Sequence, residues 1–392
     1  MFDSILKDGE LIDPSQGIHG IGSVAIQDGK IAAIGKEIPK AEAKKVFDMK
    51  GKIVTPGLID LHCHPVAGFT FFGVPPDEVG LTNGVTLLCD GGSAGPSNFE
   101  TLRKFVIEPA QTDMLCFLNM SRTGFVKFPE IVTKHDIDVD DSKRVVEANR
   151  SLIRGIKIRA SQPLAEGLGI KGIENSKKLA IDLRLPLMVH LGEYRDRVAN
   201  DRMDDFSRTA VSMLEKGDIL LHYLTWAPGG MILKDGTVYD ELEAARKRGV
   251  ILDPSSGLNN FSFAMARHAI SRDILPTVIS SDMATMGWPV VQSLPVLMSK
   301  FLNMGLSVSQ LIEMTTINPA KALGEEGKRG SLKPGMAADI TVFELLEGDY
   351  LFGDGAGRGS LKGRILLEPR MVFKMGKSMP AYSNYHIPPI LT

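Results

Sequence analysis

From Lys52 onward short apolar runs, eight in all, alternate with stretches of helical spacing. The runs are Gly57–His62, Val85–Asp90, Met114–Asn119, Gly155–Arg159, Leu187–His190, Ile219–His222, Val250–Asp253 and Thr277–Ser281. Parallel strands cannot be joined by tight turns, so each needs a crossover, and helices supply it. Eight such units predict a (β/α)8 TIM-like barrel, of the α/β class, rather than an open sheet. Helices are expected at Asn98–Ile107, Lys143–Ile153, Ile173–Leu183, Phe206–Lys216, Tyr239–Arg248, Ala264–Ser271 and Val290–Met304, with a further one at Val308–Leu323.

Before the barrel lie short strand-like runs broken by Asp8-Gly9 and Asp28-Gly29, read as turns. After it, Gly330-Ser-Leu-Lys-Pro-Gly335 punctuates the chain, and Ala338–Phe343 opens a β-rich tail. A chain of 392 residues is too long for one barrel alone, and neither end buries a core by itself. The two ends are therefore expected to form one small β-sandwich domain, with the barrel inserted. The boundaries are 1–54, 55–325 and 326–392.

Asp60-Leu-His62-Cys-His64 ends the first barrel strand. Alternate side chains of a strand face one side, so His62 and His64 point together and Cys63 points away. Barrel active sites lie at the C-terminal ends of the strands, and imidazole is a common zinc ligand. Only eight histidines are present. Two others, His190 and His222, close the fifth and sixth apolar runs, and Asp282 follows the eighth. A carboxylate there serves a metal and moves a proton; Asp is also a common helix cap. Lys157, between Ile156 and Ile158, faces inward, where a charged amine is costly. It has two readings: an amine carboxylated by CO2 into a bridging anion, or a lysine that reaches solvent or pairs with an acid.

These positions together resemble the amidohydrolase superfamily over nearly the whole chain. The match includes Thr55-Pro-Gly-Leu-Ile-Asp-Leu-His62-Cys-His64, Lys157, His190, His222, Asp282 and the tail Gly330-Ser-Leu-Lys-Pro-Gly-Met-Ala-Ala-Asp-Ile. The resemblance implies two divalent metals, zinc by expectation. His62, His64 and Asp282 hold the first, His190 and His222 the second, and N6-carboxylysine at Lys157 bridges them. Within the superfamily the chain is similar to a dihydroorotase-like group of amidohydrolases and deacetylases, through Gly84-Val-Thr, Gly92-Ser-Ala-Gly95-Pro-Ser-Asn-Phe99, Gly155-Ile-Lys-Ile-Arg-Ala160 and Phe261-Ser-Phe263-Ala. Three departures stand out. Pro65 and Val66 follow His64, with no arginine for a dihydroorotate carboxylate. Ser93 stands near where D-aminoacylases carry a cysteine ligand. The loop after strand seven reads Asp253-Pro-Ser-Ser-Gly257-Leu-Asn-Asn260 rather than glycine-rich.

The expected activity is hydrolysis of an amide or ester of a small carboxylate-bearing substrate, of the deacetylase or deacylase type. A metal-bridging hydroxide attacks, and Asp282 acts as general base and then acid. Arg159 shares the parity of Lys157 and is a candidate for the substrate carboxylate, or for an ion pair with a neighbouring acid. Arg195 and Tyr223 are weaker candidates for substrate contact, and Glu193 for support of a histidine. The alternatives are a cyclic amidase (dihydroorotase- or hydantoinase-like), a deaminase, or a non-catalytic barrel that binds a partner. A net charge of −2 gives no reason to expect nucleic acid or an anionic membrane. Three cysteines do not make a disulfide framework. No signal peptide or spanning run is seen, so a cytoplasmic protein, by expectation a homo-oligomer, is the reading.

Overall fold

Seven strands pair in parallel and in sequence order: Leu58–Cys63, Val85–Asp90, Asp113–Asn119, Ile153–Arg159, Leu187–His190, Ile219–Leu221 and Ile251–Asp253. The structure, a computed structural model, describes residues 1–192, 201–354 and 359–386. Both faces of these strands are covered, so they read as near-continuous apolar runs. Ile59, Leu61, Leu87, Phe117, Met188 and Leu221 pack in one layer, while Leu58, Leu88, Leu118, Ile156 and Leu220 face the surrounding helices. Crossovers run through Val139–Ala148, Ile170–Leu183, Asp201–Ser212, Asp240–Arg248 and Phe263–Ser271.

The eighth run departs from expectation. Residues 277–281 form no regular strand, although they lie between the seventh strand and the first. Thr277 N–H donates to the Leu252 carbonyl (2.9 Å), and Asp282 N–H donates to that of His62 (2.7 Å). Between these ends, the N–H groups of Ser280 and Ser281 go to side-chain carboxylates, Asp253 (3.2 Å) and Asp60 (3.0 Å). Carboxylates take the donors that a ladder needs, so the segment closes the barrel as an irregular stave.

Two expected helices are broken. Val290–Met304 becomes Trp288–Val291 and Leu294–Asn303, because Gln292 is left-handed (φ 66°) and Ser293 caps the second helix. Val308–Leu323 breaks at Thr316, ahead of Pro319, which has no N–H to donate.

The chain ends join in one eight-stranded mixed sheet. Ile340–Gly353 pairs antiparallel with Ile53–Pro56, which ties the tail to the head. One edge of Phe2–Asp13 is shared by Ala43–Asp48 along its first half and Ile53–Pro56 along its second. The sheet splits there and buries two apolar clusters, around Leu6, Val54 and Phe373 and around Ile5, Ala25 and Ile38. Asp28-Gly29, with φ of 51° and 73°, is a turn as expected. Asp8-Gly9 is not: it is a bulge within the single strand Phe2–Asp13.

Candidate metal centre

Five side chains converge at the C-terminal ends of the barrel strands. Ligand atoms of His62, His64 and Asp282 all lie within 4.8 Å of one another. Asp282 Oδ1 is 3.3 Å from His64 Nε2 and 3.7 Å from His62 Nε2, and its Oδ2 is 3.9 Å from His222 Nε2. The ring of His190 stands 4.2 Å from that of His222, nearly edge-on.

The far nitrogen of three of these rings is already held. His222 Nδ1–H donates to the Ser255 carbonyl (2.7 Å), His64 Nδ1 meets Ser93 Oγ (2.9 Å), and His62 Nδ1 meets Ser255 Oγ. Such partners fix the ring and turn Nε2 toward the centre. Nε2 of His62 and of His222 is buried with no hydrogen-bond partner among the described residues. Burial drives the pKa of His62 and His190 well down and that of His222 to about 4. Neutral imidazole is the form a metal takes. Burial alone would raise the Asp282 carboxyl, but the His64 hydrogen bond and the nearby His222, His64 and Lys157 outweigh it and hold it below the usual value. Buried neutral nitrogens facing a carboxylate fit a divalent cation.

The backbone here is strained. His222, Ser255 and Asp282 have φ of 61°, 43° and 50°, a region that side chains other than glycine seldom occupy. Glycines make the close approaches. A Cβ on Gly91 would fall 1.8 Å from His62 Cδ2, and one on Gly257 would fall 2.2 Å from Asp282 Oδ2. Lys157 is fully buried, and desolvation lowers its amine to about 7. Burial thus favours the neutral amine.

The family model "Amidohydrolase family" matches residues 53–379. The chain belongs to the amidohydrolase family. A deacetylase of Brucella anthropi is 35% identical over 88% of this chain and 84% of its own. A solved structure of a dihydroorotase superposes with a TM-score of 0.86 at 30% identity, covering 98% of this chain and 99% of that one. One of an adenine deaminase has a TM-score of 0.86 at 25% identity, covering 97% and 100%. This amidohydrolase is therefore a hydrolytic enzyme of a family that uses divalent metal.

Around the centre, the structure separates the remaining candidates. Arg159 is buried, with Nη1 3.4 Å from Glu130 Oε2 and its guanidinium 5.6 and 5.5 Å from the rings of Phe125 and Phe128. Phe125 also packs edge-on against His64, so Arg159 stands beside the centre. Ser93 supports His64 through its ring nitrogen. Tyr223 does not reach the centre. It is fully buried in the core, and its hydroxyl donates to the Ile274 carbonyl (3.4 Å), because it follows an inward-facing histidine and turns to the helix side. Arg195 and Glu193 lie outside the described residues.

Sequence reasoning missed Glu130, Ser255 and the carboxylates Asp60 and Asp253. Asp60 sat in the strongest motif and Ser255 in the loop singled out as atypical. Nothing local announces which distant group each one holds.

Proposed function

We propose that this amidohydrolase is a deacylase that cleaves an acyl amide or ester of a small carboxylate-bearing molecule. The observation that carries the reading is the convergence of unpartnered, buried Nε2 atoms of His62 and His222 on the Asp282 carboxylate. In this reading His62, His64 and Asp282 hold one metal, zinc by preference. His190 and His222 would hold a second, and Lys157, as its carbamate, would serve both. Metals bound there would polarise the substrate carbonyl and acidify water.

The protein's own groups do the rest. Asp282, kept ionised by its neighbours, accepts a proton from water as the oxygen adds to the carbonyl carbon. It returns that proton to the leaving nitrogen or oxygen as the acyl bond breaks. Arg159, which packs near the rings of Phe125 and Phe128, is the group in this reading that binds the substrate carboxylate. Phe72 and Phe125 pack edge-on against the His64 ring and shield it on this side. Acyclic substrates are preferred over cyclic amides because Pro65 follows His64 where an arginine for a ring carboxylate would stand, and because the relative from Brucella anthropi is a deacetylase. The reading includes a cytoplasmic homo-oligomer, which sedimentation in solution tests.

The deciding experiment is a panel of N-acyl amino acids, acyl hydroxy-acid esters, lactones and cyclic amides, run with metal-replete protein and with Asp282→Asn. Turnover of the open-chain acyl compounds, reduced by roughly 10³-fold in the variant, supports the reading. Turnover of cyclic amides alone, or full activity in Asp282→Asn, overturns it.

A further inference from the structure

Asp253 ends the seventh strand, is fully buried, and is not among the metal ligands. Its Oδ1 accepts from the N–H of Ser255 (2.9 Å) and of Ser280 (3.2 Å), and its Oδ2 accepts from the Ser280 hydroxyl (2.6 Å). The two serines lead directly to the centre. Ser255 holds His62 with its hydroxyl and His222 with its carbonyl. Ser280 stands two residues before Asp282, and the intervening Ser281 is gripped from the other side by Asp60, through its N–H (3.0 Å) and hydroxyl (2.5 Å). The hydroxyls of Ser255 and Ser280 lie 3.4 Å apart, so this is one connected network.

We propose that Asp253, acting through Ser255 and Ser280, is the positioning residue that aims His62, His222 and Asp282 at the metal centre. It touches neither metal nor substrate. The backbone at Ser255, His222 and Asp282 is left-handed, and such conformations persist only where surrounding contacts over-determine them. Asp253 supplies contacts of that kind, because its two oxygens hold the N–H groups of Ser255 and Ser280 and the Ser280 hydroxyl at once. Three ligands from three separate chain segments also share this one anchor, so a single carboxylate sets their mutual spacing.

The proposal rests on reading these residues as ligands, and the test separates the two ideas. Cobalt(II) is titrated into the metal-free full-length protein, following the visible ligand-field bands, with thermal unfolding measured alongside. The variants are Ser255→Ala, Ser280→Ala and Asp253→Asn, with Asp282→Asn and His222→Ala as controls. Each serine variant removes one hydroxyl and keeps the backbone N–H to Asp253, so folding is retained even where Asp253→Asn misfolds. The expected result is cobalt binding weakened roughly 10- to 100-fold in both serine variants, with altered bands and little change in unfolding temperature. Wild-type affinity and bands in both serine variants, with weakened binding in the controls, overturn the positioning role alone. Unchanged binding in the controls overturns the ligand reading and the proposal with it. A loss of binding that only tracks the unfolded fraction marks the network as structural and also overturns it.

Discussion

Lys157→Met should make the metal-free protein more stable, and the gain should shrink as pH rises. The buried amine titrates near 7 in the fold against 10.5 in an open chain, chiefly through desolvation. Between those values the unfolded chain binds a proton that the folded chain does not, so folding improves as pH increases. At about 1.4 kcal/mol per pH step, the penalty is about 4 kcal/mol at pH 7 and about 2 kcal/mol at pH 9. Methionine fills similar volume and carries no charge. The assay is urea unfolding of both proteins in chelator and CO2-free buffer from pH 7 to pH 9. Lys300, lowered to about 7 by burial, and the buried thiols, raised by burial, also titrate with folding. They are common to both proteins and cancel in the difference. A stability gap that is constant across this range, or wild type being the more stable at pH 7, would refute the reasoning. On the proposed reading the order should invert with bicarbonate and metal restored, because only wild type carries the amine that would form the carbamate.

Three further outcomes test individual contacts. Gly257→Ala places a Cβ 2.2 Å from Asp282 Oδ2 at φ +45°; displacing the carboxylate by about 1 Å should lower kcat roughly 100-fold, with about 1 kcal/mol lost in unfolding. Arg159→Met should raise KM for a carboxylate substrate roughly 100-fold, the worth of a charged hydrogen-bonded pair, while substrates without a carboxylate lose less. It should also lower the unfolding temperature, because Glu130 is left buried without its cation. Tyr223→Phe should cost about 1 kcal/mol in stability through the lost bond to Ile274 and leave kcat and KM unchanged; a raised KM would return Tyr223 to the pocket.

Much of the centre was legible because its signal is local. In a strand the side-chain period is two, so Asp60-Leu-His62-Cys-His64 by itself places both imidazoles on one face, and Ile156-Lys157-Ile158 by itself turns the lysine inward. The order of apolar runs and helices likewise determined a parallel barrel, since parallel strands admit no other connection. Parity weakens where the backbone leaves the strand. His222 is left-handed and turns to the centre although Leu221, the residue before it, already packs in the interior layer. The alternation at Asp8-Gly9 is broken as at a turn, but only pairing with Ile18–Gln27 shows a bulge. The eighth run reads as a strand, and its end fails to become one because carboxylates from other strands capture the N–H groups of Ser280 and Ser281. Those partnerships span great distances along the chain: His62 to Ser255 across 193 residues and Asp60 to Ser281 across 221. Local period and composition determined which residues face the centre. Which groups hold them there was decided only when folding brought remote donors and acceptors within hydrogen-bond reach.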